Sequence, residues 1–295
     1  MAMNLRRIEC ITFCLVLVLI TLLSYLLFIR TPPIKQIITL TISKENKVKA
    51  VIDNRPIITI ILTDYGISRS LDSLSEKLPT EINFGISPYN LDNISNSNLK
   101  NNILFNIPLA QITTEDTPSP SPLKPNDEED INLKKLNNLL QLAKNYQGVY
   151  TDENEIYSKN ISEANFFLSK LQKENSIYLC GLQDKNANIY KIAKKIGFHI
   201  LANDVILDEV LSTQAINVKL KELEDIAKKK GFAVAKGSHY LLTIDSLKSW
   251  LPSLKNKNIR LVSIVDFYRT TYTRNINNSE YSKELLDNLE GRNIK

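Results

Sequence analysis

Between Arg55 and Thr270, short runs of β-branched and aromatic residues alternate with stretches whose apolar residues recur every three or four positions. No other feature restricts the fold as strongly. The runs Ile57–Thr63, Ile82–Ile86, Ile103–Ile107, Gly148–Thr151, Ser176–Cys180, Phe198–Leu201, Phe232–Lys236 and Ile259–Val265 read as strands. The stretches between them read as helices. Leu133, Leu136, Leu140 and Ala143 share a face within Ile131–Tyr146, and Asn160 with Glu163 offers a capping box ahead of Ala164–Gln172. Ile189–Ile196, Thr213–Lys230 and Ile244–Lys255 complete the set. About seven or eight such repeats predict an α/β fold with a mainly parallel sheet, either open and doubly wound or closed into a barrel.

Ahead of this body, Ile11–Ile29 is nineteen residues without a charge, the length a helix needs to cross a hydrocarbon core of about 30 Å. Arg6 and Arg7 precede it, so the positive-inside rule places the amino terminus in the cytoplasm and the rest of the chain beyond the membrane. A cleaved signal peptide would have a shorter apolar stretch and small residues at its end. This run ends in Tyr25-Leu-Leu-Phe-Ile29 and continues into Arg-Thr-Pro-Pro, which favours an uncleaved anchor. The expected organisation is a cytoplasmic stub and transmembrane anchor over residues 1–30 and a polar linker over 31–54. The α/β domain follows over 55–270, with a polar tail over 271–295 in which a short helix around Ser279–Leu289 is expected.

Composition removes several classes. Thirty-seven Lys and Arg against 32 Asp and Glu leave a net charge of +5, and the cations are scattered without forming a stripe, so nucleic acid is not an expected partner. Of the three cysteines, Cys10 and Cys14 lie at the apolar amino end and Cys180 stands alone, which gives neither a disulfide framework nor zinc spacing. No Gly-x-Ser-x-Gly elbow occurs, so a serine hydrolase triad is not expected. Thr113–Asp130, with four prolines and a cluster of acids, reads as a surface loop.

Parallel α/β folds place ligands at the carboxyl ends of their strands. The first strand there delivers Thr63-Asp64-Tyr65-Gly66, and Gly148–Thr151 leads into Asp152. The strand at Phe198–Leu201 leads into Asn203-Asp204 with Asp208 four residues on, and Phe232–Lys236 leads into Gly237-Ser238-His239-Tyr240. Each of these also has a plain structural role open to it: Asp64 as a helix cap, Asp204 and Asp208 as turn acceptors, His239 as a partly exposed loop residue. His199, inside an apolar run, reads as a satisfied core or edge residue.

In this order the segments resemble the divergent polysaccharide deacetylase family, a bacterial envelope branch of the carbohydrate esterase superfamily, across about Pro56–Tyr268. The family's Asp-Asp-Leu-Gly is similar to Thr63–Gly66, and its proline-containing strand ends are similar to Ile86-Ser87-Pro88-Tyr89 and Ile107-Pro108-Leu109. Its Gly-Val-Asn-Asn-His-Met-Gly-Ser falls on Gly148–Glu155, its Arg-Asp-Val-Phe-Leu-Asp on Asn203–Asp208, and its Ala-Ile-Gly-His-Pro-Tyr on Ala235–Tyr240. The resemblance implies a distorted (β/α) barrel; taken with the apolar run at Ile11–Ile29, the expected protein is anchored in the inner membrane with its domain in the periplasm. The resemblance also implies an envelope polysaccharide or other glycan as partner, and metal-dependent deacetylation as the activity.

The departures from that pattern fall on the chemistry. Catalytic relatives carry two neighbouring aspartates and histidines, whereas Thr63 stands for the first aspartate, Asp152 for one histidine and Ser238 for another, with His239 one place late. A segment resembling the family's Phe-Leu-Asp-Ser-Arg reads Tyr178-Leu179-Cys180-Gly181-Leu182, so a further acid is missing. The expected metal ligands are Asp64, Asp152, Asp204 and Asp208, an all-oxygen set suited to Mg, Ca or Mn, with His239 as the candidate catalytic acid. The alternative is a non-catalytic glycan-binding or scaffolding module that keeps the fold and has lost the metal and base residues.

Overall fold

The computed structural model describes residues 53–94, 102–110, 120–125, 127–152 and 160–277. The expected anchor, most of the linker, residues 113–119 and 126 of the Pro-rich loop and the helix expected near Ser279–Leu289 lie outside the described residues. Within them no helix is long and apolar enough to cross a membrane.

Nine strands are described: β1 (Ile57–Tyr65), β2 (Asn83–Ile86), β3 (Ile103–Asn106), β4 (Gly148–Tyr150), β5 (Ile177–Cys180), β6 (Leu201–Ala202), β7 (Val205–Ile206), β8 (Phe232–Ser238) and β9 (Arg260–Leu261). The helices are α1 (Arg69–Ser75), α2 (Leu91–Ile94), α3 (Glu129–Ala143), α4 (Ile161–Lys173), α5 (Asn188–Lys195), α6 (Thr213–Lys230), α7 (Leu241–Trp250) and α8 (Ile264–Asn277). Every strand pairing is parallel, in the order β6-β5-β4-β3-β2-β1-β8-β7, with β9 added beside β1.

The two ends of that order, β6 and β7, are joined by Asn203 and Asp204 alone. Two residues reach about 11 Å at full extension, so the sheet has to curl until its edges almost meet. The backbone shows the junction directly: Asn203 N–H donates to Cys180 O on β5 and Asp204 N–H donates to Val234 O on β8, so consecutive residues bond opposite sides of the seam. This is a distorted, incompletely closed parallel barrel, and it decides the alternative that periodicity left open. Asp204 also seals the seam with its side chain. Its Oδ2 accepts Val234 N–H at 3.0 Å, and its Oδ1 accepts from Lys230 at 2.9 Å and from Lys185.

Strand alternation gives the barrel two apolar layers. Ile58, Ile60 and Leu62 of β1 join Leu136, Phe167, Leu223 and Ile244 from the surrounding helices. Ile57 and Ile61 face the other way, against Leu104, Tyr150, Leu179, Leu201, Val234 and Phe267. Fully burying side chains of this kind stabilises by roughly 1.5–3 kcal/mol each, and both faces of β1 contribute.

Helix starts follow capping chemistry. Asn160 Oδ1 accepts from Ser162 N–H at 3.0 Å and Glu163 N–H at 3.3 Å, ahead of α4. The Thr213–Lys230 helix has the bounds expected of it, capped by Ser212 and closed by Gly231 at φ 84°. The last expected strand is corrected at its end: β9 covers only Arg260–Leu261, and Ile264 and Val265 open a helix. Ser263 Oγ accepts Asp266 N–H at 3.2 Å, and buried Asn83 Oδ1 accepts Ile264 N–H at 2.8 Å, so the β-branched run yields to an N-terminal cap.

Candidate functional site

The residues that matter sit where the interior face of the barrel reaches its carboxyl end. Asn106 closes β3, Asp152 follows β4, and Lys236 lies on β8 with its side chain on the same face as Val234, two residues earlier. Their side chains meet: Asn106 Nδ2 donates to Asp152 Oδ2 at 3.0 Å, and Lys236 Nζ donates to Asp152 Oδ1 at 2.5 Å. The Asp152 side chain is 64% exposed and that of Lys236 only 14%, so the carboxylate looks outward while the ammonium stands on a buried stem. Tyr150 supports the group from below, its hydroxyl hydrogen-bonded to Asn106. The ring lies over Gly85, where an added Cβ would stand 2.9 Å from Tyr150 Cε1 and 3.1 Å from Thr63 Cγ2, so β2 carries a glycine where the ring crosses it.

Asp64 stands beside this group on the exit of β1. It is exposed, it adopts φ 67°, a left-handed backbone uncommon for any residue but glycine, and its Oδ2 accepts from Thr63 Oγ1 at 3.3 Å. Surrounding protein raises its pKa above the usual carboxylate range, repulsion from Asp152 adds to this, and Thr63, Lys236 and His239 oppose it. It does not cap α1, whose N-cap is Ser68.

The other expected site residues are spent elsewhere. Asp204 is held in the seam by Lys185, Lys230 and Val234 N–H. Asp208 is buried on the helix side of β8, where its Oδ2 accepts from Ser238 N–H at 2.7 Å and from Thr243 Oγ1 at 2.7 Å. Burial raises its pKa and these two bonds pull it back down. His239 is 4% exposed and not a loop surface residue: Nε2 lies 2.8 Å from Ser75 Oγ and Nδ1 lies 3.3 Å from Asp72 Oδ1. Burial lowers its pKa, with Asp72 and Asp64 acting the other way.

Asp72, His239 and Ser75 stand in the order of a nucleophilic triad, yet Ser75 is fully buried and its hydroxyl donates to Asp72 O at 2.9 Å. The three form a clasp between α1 and the β8 exit. His199 is half-buried, its Nε2 3.0 Å from Thr271 Oγ1 and its ring against Tyr268 and Tyr272 of α8, as an edge residue with satisfied partners would be.

The structure therefore brings Asp64 and Asp152 to one mouth and commits Asp204, Asp208 and His239 to structural contacts. Among the described residues no three His, Cys, Asp or Glu side chains gather closely enough to hold a metal ion. The donor set does not fit one: Asp152 already accepts an ammonium, and the remaining carboxylates are occupied by backbone N–H groups, lysines or a hydroxyl. Sequence reasoning passed over Lys236 because a single lysine in a strand reads as a solvent-facing residue. The signal lay in the alternation of Val234 and Lys236, which puts both on one face.

Large apolar and aromatic side chains are exposed on the segments that follow β1, β2 and β8 at the carboxyl end of the barrel. Ile67, Tyr89, Tyr240 and Leu241 are all exposed. Tyr89 is steadied by its hydroxyl, which donates to Pro120 O at 3.3 Å.

The profile of the family described as divergent polysaccharide deacetylase matches residues 60–268. Among solved structures, the chain is similar to an uncharacterized protein, ATU2773, from Agrobacterium tumefaciens C58, at 22% identity and a TM-score of 0.64 over 72% of this chain and 89% of that one. A structure from Enterococcus faecalis V583 aligns at 10% identity and a TM-score of 0.48, over 72% of this chain and 99% of that one. No curated protein matches the chain.

Proposed function

Because this chain belongs to the divergent polysaccharide deacetylase family, we propose that its barrel binds an envelope glycan at the mouth and does so without hydrolysing it. The observation that carries this reading is the open polar group of Asn106, Asp152 and Lys236, with exposed Tyr89 and Tyr240 after the exits of β2 and β8. Sugar hydroxyls both donate and accept, so a mixed set of amide, carboxylate and ammonium serves them well. Pyranose rings present C–H faces that pack on exposed tyrosine rings.

Deacetylation would need an accessible group to take a proton from water and another to protonate the leaving amine. His239 is buried against Ser75 and Asp72, and Asp204 and Asp208 are bound into the scaffold, which leaves the carboxylates Asp64 and Asp152 as the accessible groups among the expected candidates, with no accessible imidazole beside them. In the same reading, Ile11–Ile29 anchors the protein in the inner membrane with Arg6 and Arg7 on the cytoplasmic side and the barrel in the periplasm.

Calorimetric titration of the full chain in detergent with N-acetylhexosamine oligomers, run beside an acetate-release assay with added Zn, Mn, Mg or Ca, tests the proposal. Binding that is weakened at least tenfold by Asp152→Ala, with no acetate released, is the expected result. Metal-stimulated acetate release abolished by Asp152→Ala would replace binding with catalysis.

A further inference from the structure

We propose that the ammonium of Lys236 is the resident cation of this mouth, placed by β8 where the strand-exit carboxylates of β1 and β4 converge, so that the site has its positive charge built into the chain and excludes divalent ions. The proposal stands on geometry. Lys236 enters from the interior face of the barrel, its stem is buried, and its Nζ closes on Asp152 Oδ1 at 2.5 Å across strands that are not neighbours in the sheet. Asp64, at the exit of β1, one of the three strands between them, lies close enough to interact electrostatically with both members of that pair.

Two carboxylates facing one cleft repel unless a cation lies between them. A metal ion is one way to supply that charge, and a lysine is another, with three donors and no dependence on ion supply. The two are mutually exclusive. A divalent ion bound through Asp152 would have to displace the ammonium, and a buried stem leaves that ammonium little room to withdraw, so ion and lysine would repel at short range.

The sequence of this chain agrees with that arrangement: positions 152, 236 and 238 hold an aspartate, a lysine and a serine, so no imidazole stands beside the pair. The inference does not depend on the mouth taking a glycan, because its readout is ion binding.

The test is calorimetric titration of the full chain with Mn²⁺, Ca²⁺ and Zn²⁺, comparing the wild type with Lys236→Met, Lys236→Arg and Lys236→Met/Asp152→Ala. The wild type and Lys236→Arg are expected to show no stoichiometric heat. Lys236→Met is expected to bind one ion at least tenfold more tightly than the wild type, and the double variant to lose that gain. Should Lys236→Met fail to fold, Lys236→Gln keeps a donor for Asp152 and takes its place, with ion-induced rise in melting temperature as a second readout. Stoichiometric binding by the wild type overturns the proposal, and so does a folded, uncharged variant at 236 that binds no better than the wild type.

Discussion

His239 Nε2 lies 2.8 Å from Ser75 Oγ, joining the exit of β8 to the last turn of α1 across 164 residues of sequence. The same imidazole lies against Tyr65 and Phe84, with ring centroids 5.4 and 6.4 Å away. A side chain so enclosed holds the fold together at the mouth and does not reach a ligand. His239→Ala is expected to lower stability by about 2–4 kcal/mol, through lost packing and a stranded Ser75 and Asp72. Urea unfolding checks this. A variant that unfolds at the wild-type midpoint would show that the clasp carries no load.

The pH dependence of stability follows from the same burial. Burial lowers the pKa of both His239 and His199 below the ordinary value near 6.5, so each is neutral in the fold at a pH where the unfolded chain already takes up a proton. The unfolded state then binds more protons, and stability falls as pH falls through the ordinary histidine range. Above it both states are neutral and the contribution is flat. The charged groups facing His239, Asp72 and Asp64, moderate the effect without reversing it. Melting temperatures between pH 7.5 and 5.5 are expected to decline, and His239→Gln to decline less steeply than the wild type. Asp72 and Asp208, whose pKa values burial raises, act oppositely but closer to the carboxylate range.

Asp204 closes the barrel, and that role gives it a large expected cost. Its side chain is 3% exposed and carries Lys185, Lys230 and Val234 N–H. Asp204→Ala leaves that backbone donor without its side-chain acceptor and frees both lysines. A loss of about 2–4 kcal/mol is expected, with faster hydrogen exchange at Val205 and Ile206 than at β1. Uniform exchange across the sheet would mean that Asn203 and the backbone bonds hold the seam without it.

How much of this was legible beforehand depends on how local its cause is. β1 and α6 could be read to within a few residues, β1 because its apolar run is long and β-branched, α6 because its period is long and its caps, Ser212 and Gly231, sit at its two ends. β7 was missed because two residues carry no period, and it exists only because the sheet curls back on itself. α1 was missed because Arg69–Ser75 is polar and short. At the site, strand exits pointed to five residues, of which the fold brings Asp64 and Asp152 to one mouth. Nothing in one dimension distinguishes them from Asp204, Asp208 and His239, whose fates are set by partners 19 to 164 residues away.

Asp64 offers a way to separate stability from function. Its left-handed φ of 67° costs an alanine about 1–2 kcal/mol, whereas asparagine adopts that conformation readily. Its carboxyl is held above its ordinary pKa, so the ionised form is disfavoured in the fold and its destabilising contribution grows as pH rises through the folded value. Asp64→Asn removes that repulsion and keeps the backbone, and is expected to be at least as stable as the wild type at pH 7.5. Asp64→Ala is expected to be about 1 kcal/mol less stable than Asp64→Asn. Both should weaken glycan binding, because alanine removes the acceptor at the mouth and asparagine replaces a charged two-oxygen acceptor with a single amide oxygen. Chemical denaturation alongside calorimetric titration resolves the two effects. A residue kept in a strained backbone and a repulsive field, whose removal stabilises the fold and abolishes binding, is one retained for its ligand. If Asp64→Asn were instead destabilising with binding intact, Asp64 would belong to the scaffold and the mouth would rest on Asn106, Asp152 and Lys236.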